Sequence, residues 1–330
     1  MSMTVREILS LGEKRLIESG IEDAARDSKS LYCYLIGIPV GKLFMEYQYR
    51  LQDLLCEQYF DLVDRRAAGE PLQYIVGSQE FMGIEFRVDP RVLIPRMDTE
   101  TLVENALSII RDGRLVDEGA RVVGERGAWN VLDLCTGSGA IGISIAKLAE
   151  VAVHTGDSQL SRRDEKLNEE KTKQLAKSIK VTLTDISEGA LDVARENARL
   201  NGVEGNVKAV CGDLFSPFKK LFKKQKFDMI VSNPPYIESK AIDSLQREIR
   251  DHEPMVALDG GADGLDFYRR IASEAPDYLE DGGVILLEIG DTQGQAVKAL
   301  LGDAGFTHTR VICDLAGRDR VVFGLYAKEK

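Results

Sequence analysis

The first part of the chain carries apolar side chains at helical spacing and no alternating pattern typical of strands. Apolar residues recur every three or four positions in VREILSLGEKRLIESG, which ends at Gly20. DAARDSKSLYCYLIG repeats this pattern up to Gly37, and LQDLLCEQYFDLVDRRAAG repeats it up to Gly69. The pattern predicts a small helical domain over residues 1–75.

The pattern changes at about residue 76. FMGIEFRVDPRVLIP alternates apolar and polar residues around an Asp-Pro turn, which predicts a β-hairpin linker over residues 76–100. From residue 101 to 330, strand-like and helix-like segments follow one another, which is typical of an α/β fold with a mainly parallel, doubly wound sheet. Its seven predicted strands are NVLDLC, KVTLTDI, NVKAVCGD, FDMIVSN, GGVILLEIG, THTRVIC and DRVVFGLY. The short DLAGR between the last two predicts an antiparallel hairpin at the sheet edge.

Residues 154–180 interrupt this alternation between the first helix and the second strand of the sheet. The segment GDSQLSRRDEKLNEEKTKQLAKSIK mixes charges of both signs and has only a thin line of apolar residues. This composition predicts a solvent-facing helical insertion rather than a functional element.

Composition and charge narrow the classes of function. The net charge of −11 disfavours non-specific binding to nucleic acid, because few cations are available to replace phosphate counterions. No apolar run approaches the ~20 residues of a membrane helix, and the first residues lack the apolar stretch of a secretory signal. The five cysteines are scattered without CxxC spacing and the three histidines are far apart. We therefore expect reduced thiols, a cytoplasmic protein and no metal site.

A predicted strand, a glycine-rich turn and the start of a helix follow one another in VLDLCTGSGAIG. Gly137, Gly139 and Gly142 match the GxGxxG pattern, which is weak evidence when it stands alone. Glycines let the backbone turn tightly and approach a ligand without Cβ clashes. A tight turn without a ligand explains the same residues, but the parallel sheet around it favours a ligand site.

Acidic residues at three successive strand ends favour S-adenosylmethionine over a dinucleotide as that ligand. Asp133 precedes the glycines, Asp185 ends the next strand and Asp213 follows the third. We expect Asp185 to hold ribose hydroxyls and Asp213 to accept a hydrogen bond from the adenine amino group. Each acid alone is more often a turn former or a helix cap, whereas three at one sheet edge indicate a site.

The fourth strand ends at Asn233, and Pro234, Pro235 and Tyr236 follow. One proline would suffice to end a strand, but two fix φ twice and hold Asn233 extended. The Asn233 side chain and the Pro234 carbonyl are both acceptors, which suits the two hydrogens of a planar NH₂ group. With Tyr236 stacked on that group, the motif predicts methyl transfer to a nitrogen by alignment and electrostatics rather than by a strong base.

Longer blocks of the sequence resemble the PrmC/HemK family of protein-(glutamine-N5) methyltransferases. These blocks span about residues 69–330 and include GEPLQYIVGSQEF, DPRVLIPRMDTETLVE, LDLCTGSGAI, VSNPPYI, EPMVALDGGADGLDFYRRI, GGVILLEIG and DLAGRDRVV. NPPY is shared with amino-group methyltransferases of DNA and RNA, whereas the DGGADGLDFYRR block is more specific to this family.

The resemblance implies a Rossmann-like class I methyltransferase domain over residues 101–330. It implies S-adenosyl-L-methionine as methyl donor, S-adenosyl-L-homocysteine as product, and the glutamine of the GGQ motif in class-1 peptide chain release factors as substrate. Residues 1–75 would dock that substrate, and the enzyme would be a cytoplasmic monomer without metal, membrane or stable nucleic-acid partner. Four residues would hold the glutamine: Asn233, Pro234, Pro235 and Tyr236. Nine would line the cofactor site: Cys135, Thr136, Gly137, Ser138, Gly139, Asp185, Asp213, Leu214 and Asn233.

The chain also departs from the family pattern. Cys135 stands where the family commonly has glycine, and PRMDTE replaces the more usual PRPETE. For Arg96 and Glu80 we expect a surface ion pair rather than a catalytic role. Glu288 ends the fifth strand, a position that fits either a supporting role at the site or a purely structural one.

Two other functions use parts of the same sequence. An amino-group methyltransferase acting on adenine or cytosine in nucleic acid would use NPPY, but the acidic chain has no basic recognition domain. A nucleotide-binding oxidoreductase or regulatory protein would use the GxGxxG turn, but it leaves NPPY without a role.

Overall fold

The computed structural model describes residues 3–112, 129–155, 179–219 and 225–328. The chain divides into two compact units. The first comprises Met1–Ser78, Val88–Pro90 and Leu245–Glu253. The second comprises Gln79–Arg87, Arg91–Ser244 and Pro254–Lys330. Of the predicted charged insertion at 154–180, residues 156–178 lie outside the described residues.

The N-terminal part of the first unit is helical, as the apolar spacing predicts. Its helices are α1 (Val5–Glu18), α2 (Ala24–Ile36), α3 (Asp53–Ala67) and α4 (Leu72–Val76). Thr4 begins α1 with a capping box that it shares with Glu7, and Gly37 ends α2 in the left-handed conformation. The apolar faces meet in one core that includes Ile8, Leu16, Leu31, Tyr32 and Tyr59.

A β-hairpin lies within the segment predicted as a linker. Its strands are β1 (Ser78–Phe81) and β2 (Ile84–Arg87). Met82 and Gly83 form the turn with φ angles of 54° and 69°, as a two-residue hairpin turn requires. The predicted turn at the Asp-Pro pair is wrong, because that pair follows β2. Proline, whose φ is fixed near −65°, does not adopt the left-handed conformation of such a turn.

The second unit is built on a seven-stranded sheet with the order β5-β4-β3-β6-β7-β9-β8. Its strands are β3 (Trp129–Leu134), β4 (Ile179–Asp185), β5 (Val207–Cys211), β6 (Phe227–Ser232), β7 (Leu279–Glu288), β8 (Phe306–Cys313) and β9 (Asp319–Tyr326). Neighbouring strands from β5 to β7 are parallel, whereas β9 is antiparallel to both β7 and β8. The predicted parallel sheet with an antiparallel hairpin at its edge is confirmed.

Alternate residues of the strands contribute to two hydrophobic cores, one on each face of the sheet. On β3, for example, Val131 belongs to one core, and Leu132 and Leu134 belong to the other. In the described part of the chain, the α-helices after β2 are α5 (Glu100–Asp112), α6 (Ala140–Thr155), α7 (Glu188–Leu200), α8 (Arg247–His252), α9 (Asp266–Glu274) and α10 (Gly294–Asp303). Residues of α5, α6 and α7 join the first core, and residues of α9 and α10 join the second. The sheet is therefore doubly wound.

Helix α8 belongs to the first unit although it comes from the second half of the chain. Its Glu248 accepts a hydrogen bond from the Arg66 guanidinium at 2.6 Å, and Arg66 also donates to Asp27 at 2.8 Å. The side chains of Arg66 and Asp27 are only 6% and 1% exposed. A buried arginine thus lies between two carboxylates, one of which is 182 residues away along the chain.

The strand order reverses beside β3, and this reversal positions the site. The chain runs from β3 outward to β4 and β5, and then returns to β6 on the other side of β3. Loops that leave two such strands diverge, and open α/β sheets bind ligands in the crevice between them. The glycine turn follows β3, and Asn233 follows β6.

Candidate active site

A cavity opens at the carboxyl ends of β3, β4, β5 and β6. Its wall contains predicted residues from each strand end, namely Cys135, Gly137, Asp185, Asp213, Leu214, Asn233 and Pro235. It also contains residues that the sequence analysis did not select, among them Arg91, Ile186, Val256, Phe267 and Arg270. The other predicted site residues do not line the cavity: Thr136, Ser138, Gly139, Pro234 and Tyr236.

Asp133 orders the turn after β3 from the protein interior. Its Oδ2 accepts hydrogen bonds from the Thr136 hydroxyl at 2.6 Å and from the Gly142 N–H at 3.0 Å. Asp133 is fully buried, and burial raises its pKa to about 7, although those two hydrogen bonds lower it. The prediction that Asp133 faces the ligand together with Asp185 and Asp213 is therefore wrong, because its carboxylate holds the loop instead of facing the cavity.

The three glycines of the turn have different roles. Gly137 has a φ of 53°, and no atom lies within 4 Å of where a Cβ would be, so it leaves open space at the cavity wall. A Cβ on Gly139 would lie 2.6 Å from Ile143, and one on Gly142 would lie 2.4 Å from Leu183. Gly139 and Gly142 therefore allow close packing of the turn and of α6, whereas Gly137 provides room for a ligand.

Asp185 at the end of β4 is bound to the same turn. Its Oδ2 accepts a hydrogen bond from the Gly137 N–H at 2.9 Å, and its Oδ1 accepts one from the Ser187 N–H at 2.9 Å. Burial raises the pKa of Asp185, and these backbone hydrogen bonds lower it. Since each carboxylate oxygen has two lone pairs, Asp185 can still accept hydroxyl donors from the cavity.

Asp213 follows β5 and is paired with an arginine that the sequence analysis missed. The Arg270 guanidinium donates to Asp213 Oδ2 at 2.6 Å and lies 5.8 Å from the centre of the Phe267 ring. Leu214 comes next, buried and with a left-handed φ of 48°. One carboxylate oxygen of Asp213 is thus paired with Arg270, and the other can accept from an amino group in the cavity.

Cys135 also has a left-handed backbone, with a φ of 56°. This conformation suits glycine better than any residue with a Cβ, because only glycine adopts it without a steric cost. Burial raises the pKa of the Cys135 thiol, so the side chain is protonated and neutral at physiological pH.

The segment after β6, residues 233–236, is fixed by a glutamine and two glycines. Gln293 Nε2 donates to the carbonyls of Tyr236 at 3.1 Å and of Gly264 at 3.2 Å. A Cβ on Gly260 would lie 2.7 Å from the Tyr236 Cα, and one on Gly264 would lie 2.4 Å from the Tyr236 carbonyl oxygen. The glycines of the DGGADG block therefore allow the backbone around Tyr236 to pack tightly.

Tyr236 itself is partly buried and packs against the second core. Burial raises the pKa of its phenol to about 12, although the charges of Arg320 and Arg96 lower it. The hydroxyl is therefore neutral at physiological pH. Stacking of Tyr236 on a substrate group stays a prediction, as does the ion pair of Arg96 with Glu80.

The Asn233 side chain contacts two buried residues that do not line the cavity. Its Nδ2 donates to the Thr99 hydroxyl at 3.3 Å, and it is also hydrogen-bonded to the Glu288 carboxylate. Burial raises the pKa of Glu288 to about 7, whereas hydrogen bonds from Thr99 and Asn233 and the charge of Arg320 lower it. Sequence patterns did not select Thr99, because nothing local shows that it lies beside Asn233.

The described part of the chain offers neither a metal-binding cluster nor a membrane-spanning helix. There, no three His, Cys, Asp or Glu side chains are grouped so that they could hold a metal ion. None of the helices within the described ranges combines the length and the apolar character that crossing a membrane requires.

Family comparisons define the class of protein. Residues 7–77 match the PrmC N-terminal domain, and residues 126–301 match a methyltransferase domain. The seven-stranded sheet and the cavity at its strand ends are the architecture of this second domain. The protein is therefore a Rossmann-like class I methyltransferase with an additional N-terminal domain.

Individual relatives define the family within that class. The chain is 36% identical over 329 residues to the release factor glutamine methyltransferase of Moorella thermoacetica, covering 99% of this chain and all of the relative. It is 37% identical over 321 residues to that of Geobacter sulfurreducens, covering 97% and 96%. A crystal structure of a release-factor-specific protein-(glutamine-N5) methyltransferase from Alicyclobacillus acidocaldarius is 28% identical, covers 74% of this chain and all of that one, and has a TM-score of 0.36. The chain belongs to the release factor glutamine methyltransferase family.

Proposed function

We propose that this protein transfers a methyl group from S-adenosyl-L-methionine to the side-chain amide nitrogen of the glutamine in the GGQ motif of class-1 release factors. The observation that carries the proposal is that Asn233 lines the same cavity as Gly137 and Asp185. The candidate acceptor for the substrate amide and the candidate cofactor-binding residues therefore line one cavity. Membership of the family supports the same substrate.

The cavity wall suits S-adenosylmethionine in both its polar and its apolar parts. Asp185 can accept the ribose hydroxyls, and Asp213 can accept the adenine amino group. Leu214 and Phe267 offer apolar surface to the base, and Gly137 leaves room where any side chain would intrude. When bound, the cofactor supplies a methyl group on a positively charged sulfur and becomes S-adenosyl-L-homocysteine.

Asn233 and Pro234 perform the orienting step of the proposed reaction. Asn233 Oδ1 accepts one hydrogen of the substrate amide at the cavity wall. The Pro234 carbonyl, although its residue does not line the cavity, is the expected acceptor for the second hydrogen, and the two contacts together fix the direction of the nitrogen lone pair. An amide nitrogen is a poor nucleophile because its lone pair is delocalised into the carbonyl. Alignment in a preorganised site compensates for that weakness. Once the nitrogen carries the new methyl group it is positively charged and its proton becomes acidic, so the N–H bond breaks and the proton passes to water without a strong base in the protein.

The first unit has a separate role in this proposal. Its match to the PrmC N-terminal domain supports docking of the release factor on residues 1–75. The net charge of −11 supports an enzyme without a stable nucleic-acid partner, and the five free cysteines support a cytoplasmic location. We expect a monomer that uses no metal ion and binds no membrane.

Substitution of Asn233 tests the proposed function. Asn233→Ala should lower the rate of glutamine methylation by about 100-fold or more, because a preorganised acceptor at the reacting group is lost. S-adenosylmethionine affinity, measured by calorimetry, should change less than about threefold, a change of under 1 kcal/mol. The rate is measured by mass spectrometry of the GGQ peptide from a class-1 release factor, looking for one added methyl group.

The control is Asn130→Ala, since Asn130 is exposed on β3 and does not line the cavity. It should methylate at the wild-type rate. Full activity of Asn233→Ala would refute the mechanism.

Incubation of the enzyme with labelled cofactor, a release factor and nucleic acid side by side tests the substrate. Label on the nucleic acid alone would refute the proposed substrate and favour an adenine N6 methyltransferase.

A further inference from the structure

We propose that Thr99 and Glu288 are positioning residues that turn the Asn233 side-chain amide so that its oxygen faces the substrate. The inference rests on the proposed methyl transfer to an amide nitrogen, and it adds two residues to the machinery of that reaction. Thr99 directly precedes α5 and Glu288 ends β7. Both residues are buried: Thr99 is 4% exposed and Glu288 is 1% exposed.

Hydrogen bonds connect the three side chains. Glu288 is hydrogen-bonded to both Thr99 and Asn233, and Asn233 Nδ2 lies 3.3 Å from the Thr99 hydroxyl oxygen. An ionised carboxylate can only accept, so Thr99 must donate its one hydroxyl hydrogen to Glu288. Thr99 then has only acceptor capacity left for Asn233. Both neighbours of the amide therefore require its NH₂ end.

This requirement removes an ambiguity that every asparagine has. The oxygen and the NH₂ group of a carboxamide occupy nearly equivalent positions, and a rotation of about 180° exchanges an acceptor for a donor. A substrate NH₂ group needs an acceptor. A rotated Asn233 would instead place its own NH₂ donor against the NH₂ donor of the substrate. With its NH₂ held by Thr99 and Glu288, Asn233 keeps Oδ1 for the cavity whose wall it forms.

The charges around Glu288 make the arrangement sensitive to pH. The charge of Arg320 lowers the pKa of Glu288 and that of Asp98 raises it. The Glu288 charge in turn raises the pKa of the Tyr236 and Tyr268 phenols. Arg320 is itself paired with Asp98 at 3.0 Å and with Asp314 at 3.3 Å. Glu288 Oε2 is buried and makes no hydrogen bond to the described residues.

Protonation of Glu288 would remove the preference for one orientation of the Asn233 amide. A protonated carboxyl group can donate to Asn233 Oδ1, which makes the rotated amide acceptable. The active arrangement therefore needs the carboxylate. Because burial raises the pKa of Glu288 to about 7, the methylation rate should rise with pH through that region and level off above it.

The test uses three variants of the full-length enzyme with a class-1 release factor as methyl acceptor. Glu288→Gln keeps the size of the side chain but brings a donor, and Thr99→Val keeps the shape but removes the hydroxyl. Both should lower kcat by about 10-fold to 100-fold, and S-adenosylmethionine affinity by calorimetry should stay within about twofold. Thr99→Ser restores the hydroxyl and should retain most of the wild-type kcat.

The pH profile of kcat separates positioning from a structural role. The wild type and Thr99→Ser should show the rise with pH near 7, and Glu288→Gln should not. A wild-type kcat and pH profile in Glu288→Gln would overturn the inference, as would equal losses in Thr99→Val and Thr99→Ser. If Glu288→Gln does not fold, the comparison of the two Thr99 variants decides. Failure of this inference alone leaves Asn233→Ala inactive, whereas failure of the proposed function leaves Asn233→Ala active.

Discussion

Backbone conformation at single residues shapes the cavity wall. Cys135, Gly137 and Leu214 line the cavity with φ angles of 56°, 53° and 48°. A left-handed conformation costs a residue with a Cβ about 1–2 kcal/mol. The backbone of the cavity wall is therefore strained at Cys135 and Leu214 but not at Gly137. Such strain persists when surrounding contacts enforce it, and it is common where a ligand approaches the backbone.

Gly137→Ala separates that strain from ligand binding. The new Cβ would meet no atom within 4 Å, so the loss of stability should be about 1–2 kcal/mol from the left-handed backbone alone. The methyl group would, however, occupy space at the cavity wall. We expect S-adenosylmethionine affinity to fall about tenfold or more in calorimetry.

Gly202→Ala is the matched control for that prediction. Gly202 also has a positive φ, 69°, with no atom within 4 Å of its missing Cβ, and it does not line the cavity. It should lose similar stability in urea denaturation and bind the cofactor normally. Equal cofactor affinity in the two variants would contradict a ligand at Gly137.

Among the elements, the loops that follow β6 and precede α9 support each other. Gly264 lies where a Cβ would come within 2.4 Å of the Tyr236 carbonyl oxygen, and Gln293 bonds both of their carbonyls. Backbone atoms cannot swing aside as flexible side chains can. The position of residues 233–236 therefore depends on a glycine some thirty residues later.

Gly264→Ala should displace the segment that carries Asn233. We expect the methylation rate to fall by about 100-fold, since a shift of about 1 Å at a reacting group can cost that much. Gly317→Ala is the control, because Gly317 has a similar φ of 79° and no atom within 4 Å of a new Cβ. Both variants should lose some stability, but only Gly264→Ala should lose activity in the mass-spectrometric assay. Normal activity in Gly264→Ala would show that the segment does not depend on this packing.

Sequence patterns predicted the elements well and the contacts between them poorly. Helical and alternating periodicities gave all seven strands of the sheet, the helical N-terminal part and the edge hairpin, because burial of one face is a local property. The inward orientation of Asp133 and the partnership of Thr99 and Glu288 with Asn233 arise between distant segments. Contacts between distant segments produce no periodic pattern of apolar residues in the sequence. The presence of an aspartate at a strand end also does not show whether its side chain faces a ligand or a loop.

For the molecule as a whole, the division into units does not follow the order of the chain. After Ser78 the chain re-enters the first unit twice, at Val88–Pro90 and at Leu245–Glu253. The helical pattern of the sequence instead predicts one continuous domain over residues 1–75, because the pattern ends there. The later segment brings Glu248 to the buried Arg66, which already binds Asp27.

Asp27→Ala and Glu248→Ala should differ in their effect on the free energy of unfolding. Asp27 is almost fully buried, so its loss leaves the Arg66 charge poorly compensated and should cost about 3 kcal/mol. Glu248 is 36% exposed, and water screens its charge, so its loss should cost about 1 kcal/mol or less. Urea denaturation followed by circular dichroism measures both. A larger loss in Glu248→Ala would contradict this order.

The late arrival of Glu248 has a consequence for how the protein is made. Glu248 comes 182 residues after Arg66, so a ribosome that has delivered α3 must still synthesise that later segment before the nascent chain can complete this ion cluster. Until then, the emerging N-terminal helices hold an arginine with a single carboxylate partner in their interior. Maturation of the first unit is therefore tied to synthesis of most of the second, so a polypeptide truncated before residue 245 would carry an unfinished N-terminal unit.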